Sequence, residues 1–262
     1  MNYHFFDYKH NIVGFGSDLF STQHIVFIVL AYVLTFLLSF LLRKTKHEKI
    51  TAALKFLSLF SVVMEMTKIG WESYYDVTTG RGFNSYGLLP VYTCSLFIYT
   101  LLCAAWGKGK VREYSLSFLG TVSLLYGAIG VIYCNGLNFY PFWTFGAFYS
   151  LFFHTAMFST GVFLLATGYV KLGWADSLKA FVPIMLLSFV AIPINHFLGS
   201  DYMLIYKGDG VPLYEDLASW LASKGMRWVY TVIMMVTHIP LACLVIGVYK
   251  LIRLCAGAPK KD

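Results

Sequence analysis

Seven long apolar stretches constrain the fold of this chain more than any other feature of its sequence. Each has about 20 mostly apolar residues, the length that a helix needs to cross a bilayer, and each ends at a charge, a glycine, a proline or a polar cluster. Only 13% of the residues are charged, whereas soluble domains carry about 25%. We therefore predict an all-α polytopic membrane protein, a seven-transmembrane helix bundle that forms a single membrane domain over 1–262, with spans at approximately 24–42, 50–70, 88–106, 115–134, 147–169, 177–198 and 227–254.

Positive charge is distributed unevenly between the loops that join these stretches. If the N-terminus is outside, fourteen of the 20 Lys and Arg residues fall on the cytoplasmic side. Cytoplasmic loops carry such an excess, so we expect an outer N-terminus and a cytoplasmic C-terminus. The net charge of +7 then reflects orientation in a lipid bilayer, and no nucleic-acid partner is expected. Pro212 and the helical spacing of Leu213, Leu217 and Trp220 predict an amphipathic helix at approximately 212–224 on the outer surface.

Polar side chains gather at the predicted outer ends of five spans. An ionisable side chain inside a bilayer costs at least about 2.5 kcal/mol and needs a reason to be there. Cys94 and His154 would both lie roughly 10 Å below the outer interface at the helical rise per residue. The sequence predicts a polar chamber in the outer leaflet. Its catalytic candidates are Cys94 and His154, and its supporting or substrate-binding candidates are His24, Glu65, Lys68, Trp71, Asn195, His196 and Asp201.

A thiol and an imidazole at one depth favour nucleophilic chemistry. The thiolate is the reactive form of cysteine, and apolar surroundings suppress it, so Cys94 needs a neighbouring base such as His154. Pro90 suits the first position of a helix, which would place Cys94 just beyond the first helical turn. The pair supports acyl transfer through a thioester, and either Glu65 or Asn195 could orient the histidine.

Less specific interpretations also fit these residues. Cys94 could be a small packing residue, and Glu65 could simply neutralise Lys68 three residues later. The chamber could belong to a non-catalytic, small-molecule-binding membrane component of a transport system. A metal site would need His24, His154 and His196 to converge, and we expect no metal and no cofactor. The spacing of His196 and Asp201 matches a glycerolipid acyltransferase motif, but that motif works in an α/β domain that is not expected here.

Five short motifs occur in order along most of the chain. They read LFSTQH at 19–24, EMTKIGW at 65–71, LPVYTCSL at 89–96, FFH at 152–154 and INHFLGSDYM at 194–203. With these motifs the sequence resembles the bacterial YwaF-like integral membrane proteins, which are related to eukaryotic transmembrane protein 164. The resemblance extends from about residue 18 to residue 250.

The resemblance implies a chemistry and two roles. The eukaryotic relative is an acyltransferase that attaches polyunsaturated acyl chains to an ether-linked lysophosphatidylethanolamine through a cysteine acyl-enzyme. By this resemblance Cys94 is the nucleophile and His154 its base, in a lipid acyltransferase or hydrolase that acts on a membrane phospholipid or fatty-acyl substrate. A multi-pass protein of a bacterial plasma membrane is implied as well. Ser95 stands where the family commonly has Asp, and Asp201 where it commonly has Asn.

Overall fold

Helices make up all the regular structure in the described part of the chain. The computed structural model describes residues 3–9, 12, 14–80 and 88–256. The all-α prediction is confirmed for these residues. The α-helices are α1 (Thr22–Leu41), α2 (His47–Thr78), α3 (Leu96–Trp106), α4 (Gly109–Phe118), α5 (Leu124–Ile132), α6 (Phe145–Ala166), α7 (Asp176–Leu198), α8 (Pro212–Ser223), α9 (Arg227–Val236) and α10 (His238–Cys255).

Six helical segments of the described chain are long and apolar enough to cross a membrane. They coincide with six of the seven predicted spans: Thr22–Leu41, His47–Thr78, Gly109–Asn138, Phe145–Ala166, Asp176–Leu198 and Arg227–Cys255. Their outward faces are apolar, with Phe36 55%, Leu41 63% and Phe56 71% exposed. Such continuous apolar surface is unfavourable in water and suits contact with lipid. The chain is therefore a membrane protein.

The predicted span at 88–106 forms a shorter helix than expected. Only Leu96–Trp106, 11 residues, is helical, and residues 88–95 form turns and bends. At the rise of an α-helix α3 is about 16 Å long, roughly half of the hydrocarbon core. The span count of seven and the positions of the two termini stay predictions.

Two compact units make up the chain. Unit 1 comprises Met1–Phe83 and Ser123–Lys171, and unit 2 comprises Asn84–Val122 and Leu172–Asp262. In unit 1, α5 packs along α6, and α1 and α2 pack against α6 as well. In unit 2, α7 contacts α3, α4, α9 and α10.

Several of the long helical segments have local interruptions. Leu119–Ser123 is a π-helical turn between α4 and α5, a geometry that occurs mostly as single turns within α-helices. α9 and α10 meet at Thr237, because Pro240 has no N–H and its ring displaces the carbonyl one turn earlier. α8 begins with Pro212 at its first position, where the sequence predicts a helix, and its placement on the outer membrane surface stays a prediction.

Candidate functional site

Cys94 lies in residues 88–95, a series of turns ahead of α3 that we call the Cys94 segment. The Val91 N–H donates to the Leu89 carbonyl at 2.8 Å, which closes a tight turn around Pro90. The prediction that Pro90 opens the helix and that Cys94 follows its first turn is therefore wrong. Cys94 precedes the helix, and its carbonyl accepts the Phe97 N–H at 3.0 Å.

Three tyrosines hold the Cys94 segment in place within unit 2. The Leu89 N–H donates to the Tyr202 hydroxyl at 3.2 Å, and the Tyr99 hydroxyl donates to the Pro90 carbonyl at 3.0 Å. The rings of Tyr92 and Tyr202 lie 4.8 Å apart, within the range of favourable aromatic pairs. The backbone around the half-buried Cys94 is therefore fixed by contacts on both its helical and its loop side.

Tyr202 is in turn positioned by Asn195, which is fully buried near the end of α7. The Asn195 amide donates to the Tyr202 carbonyl at 2.9 Å, and its oxygen accepts the Tyr202 N–H at 2.7 Å. The same oxygen accepts the Ser200 hydroxyl at 3.0 Å. Because the amide is occupied in this way, Asn195 serves the loop that follows α7.

Asp201 organises the rest of that loop, residues 199–211. One of its carboxylate oxygens accepts the N–H groups of Tyr206 at 2.8 Å and Lys207 at 2.9 Å. The other accepts the Asp209 N–H at 2.8 Å. Three backbone donors satisfy this nearly buried carboxylate, so its charge is compensated within the loop. An asparagine at this position would have a single oxygen to accept these hydrogen bonds. The structure of the loop therefore explains why an aspartate stands at position 201.

We expect Asn195→Ala to destabilise the protein markedly. The substitution removes the hydrogen bonds that Asn195 makes to the buried N–H and carbonyl of Tyr202, and an unsatisfied buried group costs about 1–3 kcal/mol. Thermal unfolding of the purified full-length protein in detergent measures the effect. The exposed Asn135, which accepts a hydrogen bond from Asn138, provides the control Asn135→Ala. Equal melting temperatures for the two variants would contradict the role given to Asn195.

His196, next to Asn195, has a different environment. Its side chain is exposed and lines a cavity of about 300 Å³ together with Tyr206 and Arg227. The His196 side chain thus faces this cavity, whereas the Asn195 amide is hydrogen-bonded to the loop. The Cys94 segment, Asn195, Asp201 and His196 all belong to unit 2.

His154 lies on α6 in unit 1 with its ring orientation fixed. Its Nδ1 is 2.8 Å from the Ser150 carbonyl oxygen, one turn earlier on the same helix. A carbonyl oxygen can only accept, so Nδ1 carries the proton and Nε2 is the acceptor nitrogen of the neutral ring. The backbone carbonyl of Ser150 on its own helix therefore orients the His154 ring, and a further role for Glu65 or Asn195 stays a prediction.

Gly130 on α5 provides the space for the His154 ring. A Cβ at Gly130 would lie 2.5 Å from Cγ and 2.7 Å from Nε2 of His154, closer than side chains tolerate. One turn further along, the Cys134 thiol donates to the Ser150 hydroxyl at 3.2 Å. The ring of His154 is thus packed against the backbone of α5. The contact between Cys134 and Ser150 helps to maintain the register of this part of the chain against α6.

Glu65 and Lys68 each have a partner, but not each other. The Tyr149 hydroxyl of α6 donates to the nearly buried Glu65 carboxylate. The Lys68 ammonium pairs with Glu72 at 3.1 Å, one turn along α2. In place of the alternative in which Glu65 neutralises Lys68, there are two separate contacts, of which the first connects α2 to α6.

His24 is fully buried at the start of α1. Its Nδ1 accepts the Phe20 N–H at 3.0 Å, and its Nε2 lies 3.0 Å from the Val131 carbonyl of α5. Both ring nitrogens are therefore engaged, one as acceptor and the other as donor. The contact with Val131 connects α1 to α5.

Trp71 belongs to an aromatic cluster that holds the amino-terminal segment of residues 3–9. Its indole N–H donates to the Phe6 carbonyl at 2.7 Å, and its ring lies 5.2 Å from that of Tyr8. The Phe5 carbonyl accepts the Phe145 N–H at 2.6 Å, at the beginning of α6. Burial raises the pKa of the neighbouring Tyr140 phenol.

The candidate residues thus separate into two groups. His24, Glu65, Lys68, Trp71 and His154 lie in unit 1, and Cys94, Asn195, His196 and Asp201 lie in unit 2. The pairing of the Cys94 thiol with the His154 ring stays a prediction.

Sequence patterns alone had not identified four residues of these networks. Tyr202 and Gly130 hold the Cys94 segment and the His154 ring, and Ser150 and Tyr149 contact His154 and Glu65. Tyr202 directly follows Asp201 in a motif noted above, and this position was the one available signal. The other three acquire their roles only from the register of α5 and α2 against α6.

Comparison with known proteins gives one result for nearly the whole chain. The described residues include no group of three or more His, Cys, Asp or Glu side chains that could hold a metal ion; the comparisons themselves concern sequence and fold. No curated protein and no solved structure matches the chain significantly. The model of the TMEM164 family matches residues 19–249. This stretch includes both the Cys94 segment and His154, and the chain belongs to the TMEM164 family.

Proposed function

We propose that this membrane protein is a lipid acyltransferase or hydrolase that works through a thioester on Cys94, with His154 as the base. The observation that carries the proposal is the contact between His154 Nδ1 and the Ser150 carbonyl. It leaves Nε2 as the nitrogen that can accept a proton, which a general base requires. We further propose the plasma membrane as the location, where its lipid substrates would be at hand.

The proposed reaction proceeds in two halves. His154 takes the proton of the Cys94 thiol, and the sulfur attacks the ester carbonyl carbon of a phospholipid. The ester C–O bond breaks, the leaving lysophospholipid takes the proton from His154, and the acyl group remains on sulfur. An acceptor hydroxyl then gives its proton to His154 and attacks the thioester, which restores the thiol. A lysophospholipid as acceptor makes the protein a transferase, and water makes it a hydrolase.

Support for Cys94 as the nucleophile comes from how firmly its surroundings are held. Catalytic groups need to be held close to their productive geometry, because small displacements reduce the rate severely. Tyr99 and Tyr202 fix the backbone of the Cys94 segment, and Asn195 fixes Tyr202. The backbone that carries Cys94 therefore has a fixed position, as a nucleophile requires.

We expect the purified protein to carry an acyl group on Cys94 after incubation with phosphatidylethanolamine. Intact-protein and peptide mass spectrometry would locate an adduct that hydroxylamine removes, since thioesters are labile to this nucleophile. Cys94→Ala should abolish the adduct, whereas Cys103→Ser, at another half-buried cysteine of unit 2, should retain it. Binding of the lipid without any adduct on wild-type protein would instead favour a non-catalytic component of a transport system.

A further inference from the structure

A cavity of about 300 Å³ lies in unit 2 beside the base of loop 199–211. Its lining includes Asn195, His196, Tyr206, Arg227 and Trp228. The cavity shares Asn195 with the contacts that hold the Cys94 segment. Its size is at the lower end of the range for small-molecule sites, and its few polar groups come from two helices and one loop.

Arg227 gives this cavity a positive charge. Its guanidinium lies over the Tyr206 ring, 4.6 Å from the centroid, a contact that orients the group without neutralising it. No salt bridge involves Arg227 among the described residues. A planar guanidinium with available donors is the protein group best suited to bind phosphate oxygens in pairs.

Asp201, which organises the loop at this cavity, forms no salt bridge with Arg227. Asp201 accepts three backbone N–H groups from Tyr206, Lys207 and Asp209, so both of its oxygens are engaged. His196 adds a second group that can donate a hydrogen bond toward an anion. The cavity therefore combines a cation, an imidazole and aromatic side chains.

Both helices that line the cavity belong to segments long and apolar enough to cross a membrane, and these segments end here. Asp176–Leu198 finishes beside His196, and Arg227–Cys255 starts at Arg227. Trp228 is 68% exposed and Phe197 is 82% exposed, as expected for aromatic side chains at a membrane–water interface. The ends of spans lie at the level of lipid headgroups, so a phospholipid brings its phosphate to this depth.

We propose that this cavity binds the phosphate of a phospholipid headgroup, with Arg227 and His196 as its ligands. The inference rests on the proposed function and deepens it, because it names the headgroup site of the lipid substrate. Asn195 connects the two parts of unit 2: it lines the cavity and holds Tyr202, which contacts the Cys94 segment. A lipid anchored here would lie beside the loop that holds that segment.

The test measures binding of lysophosphatidylethanolamine to full-length Cys94→Ala protein in detergent, so that turnover cannot contribute. Adding Arg227→Gln should weaken binding by about tenfold or more, since a charge-assisted contact is lost. The affinity of Arg227→Lys should fall between those of the parent protein and Arg227→Gln, because lysine keeps the charge but lacks the planar pair of donors. Binding of a monoacylglycerol with the same chain, which has no phosphate, should not change.

The matched control is Arg253→Gln. Arg253 is another arginine of unit 2 that lies over a tyrosine ring, that of Tyr249, and its removal should leave lysophospholipid binding intact. Thermal unfolding of each variant ensures that only folded protein is compared. Equal binding by the Arg227 and Arg253 variants, or equal losses for lysophospholipid and monoacylglycerol, would overturn the proposal.

Inorganic phosphate separates two sources of the same chemistry. If millimolar phosphate displaces lysophosphatidylethanolamine from the parent protein but not from Arg227→Gln, the site takes free phosphate as well as the headgroup. If it does not compete, the site requires the lipid-borne phosphate. Headgroup binding without an adduct on Cys94 would defeat the proposed function alone, and an adduct without headgroup selectivity would defeat this inference alone.

Discussion

Replacing His154 by glutamine should slow acylation of Cys94 by about 10²–10⁴-fold, the usual contribution of a general base. Glutamine is close to histidine in size and stays polar, but it has no basic nitrogen. Stability should therefore change little while the rate falls. The rate is measured as the growth of the hydroxylamine-sensitive adduct with time, by mass spectrometry of the intact protein.

Two comparisons make this result specific to the base. His47→Gln changes an exposed histidine at the start of α2 and should leave the rate unaltered. His154→Ala should be as slow as the glutamine variant and less stable, because it also empties the space against Gly130. Acylation of His154→Gln at the wild-type rate would remove His154 from the mechanism.

Alanine at Gly127 should chiefly reduce stability, whereas alanine at Gly130 should chiefly reduce the rate of acylation. A Cβ at Gly127 meets the backbone N of Phe158 and lies 2.7 Å from Met157 Cβ. Backbone cannot rotate away, so α5 has to separate from α6, with a loss of at least about 1–3 kcal/mol as for overpacked cores. At Gly130 the neighbour is the His154 side chain. This ring can rotate away from the new Cβ, but it then leaves the position that the proposed reaction needs.

Gly127→Ala should therefore lower the unfolding temperature strongly, and Gly130→Ala should chiefly slow acylation of Cys94. Gly70 in α2 provides the control, since a Cβ there has nothing within 4 Å and alanine favours a helix by up to about 1 kcal/mol. Gly70→Ala should be neutral or slightly stabilising. If all three variants unfold at one temperature, the close packing assigned to α5 and α6 is wrong.

Hydropathy was sufficient to locate six of the long helical segments, but not every end. α2 continues to Thr78, past the predicted end near residue 70, because Trp71 and Tyr75 both pack against Tyr8. The same kind of tertiary contact shortens α3: Leu89 donates to Tyr202, so residues 88–95 are held in turns. Neither partner is near in sequence, and apolar composition alone does not distinguish the two outcomes.

Polar residues within or next to the long apolar segments were good indicators of positions with specific hydrogen bonds. Asn195, Asp201 and His24 are each buried and fully engaged by backbone groups, so their place inside the protein has a structural cause. Their partners could not be predicted, because a hydrogen bond depends on helix register. Gly130 carries no chemical signal at all, and only its contact with His154 reveals its importance.

The amino-terminal segment has a consequence for any altered version of this protein. The first N–H groups of a helix lack partners within it, and at α6 one of these, that of Phe145, is bound by the Phe5 carbonyl. Residues 3–9 therefore act as a remote cap for the helix that carries His154. Deletion of residues 3–9 would uncap α6 and remove the acceptor of the Trp71 indole N–H, so the resulting defect would imitate damage to His154, nine residues further on.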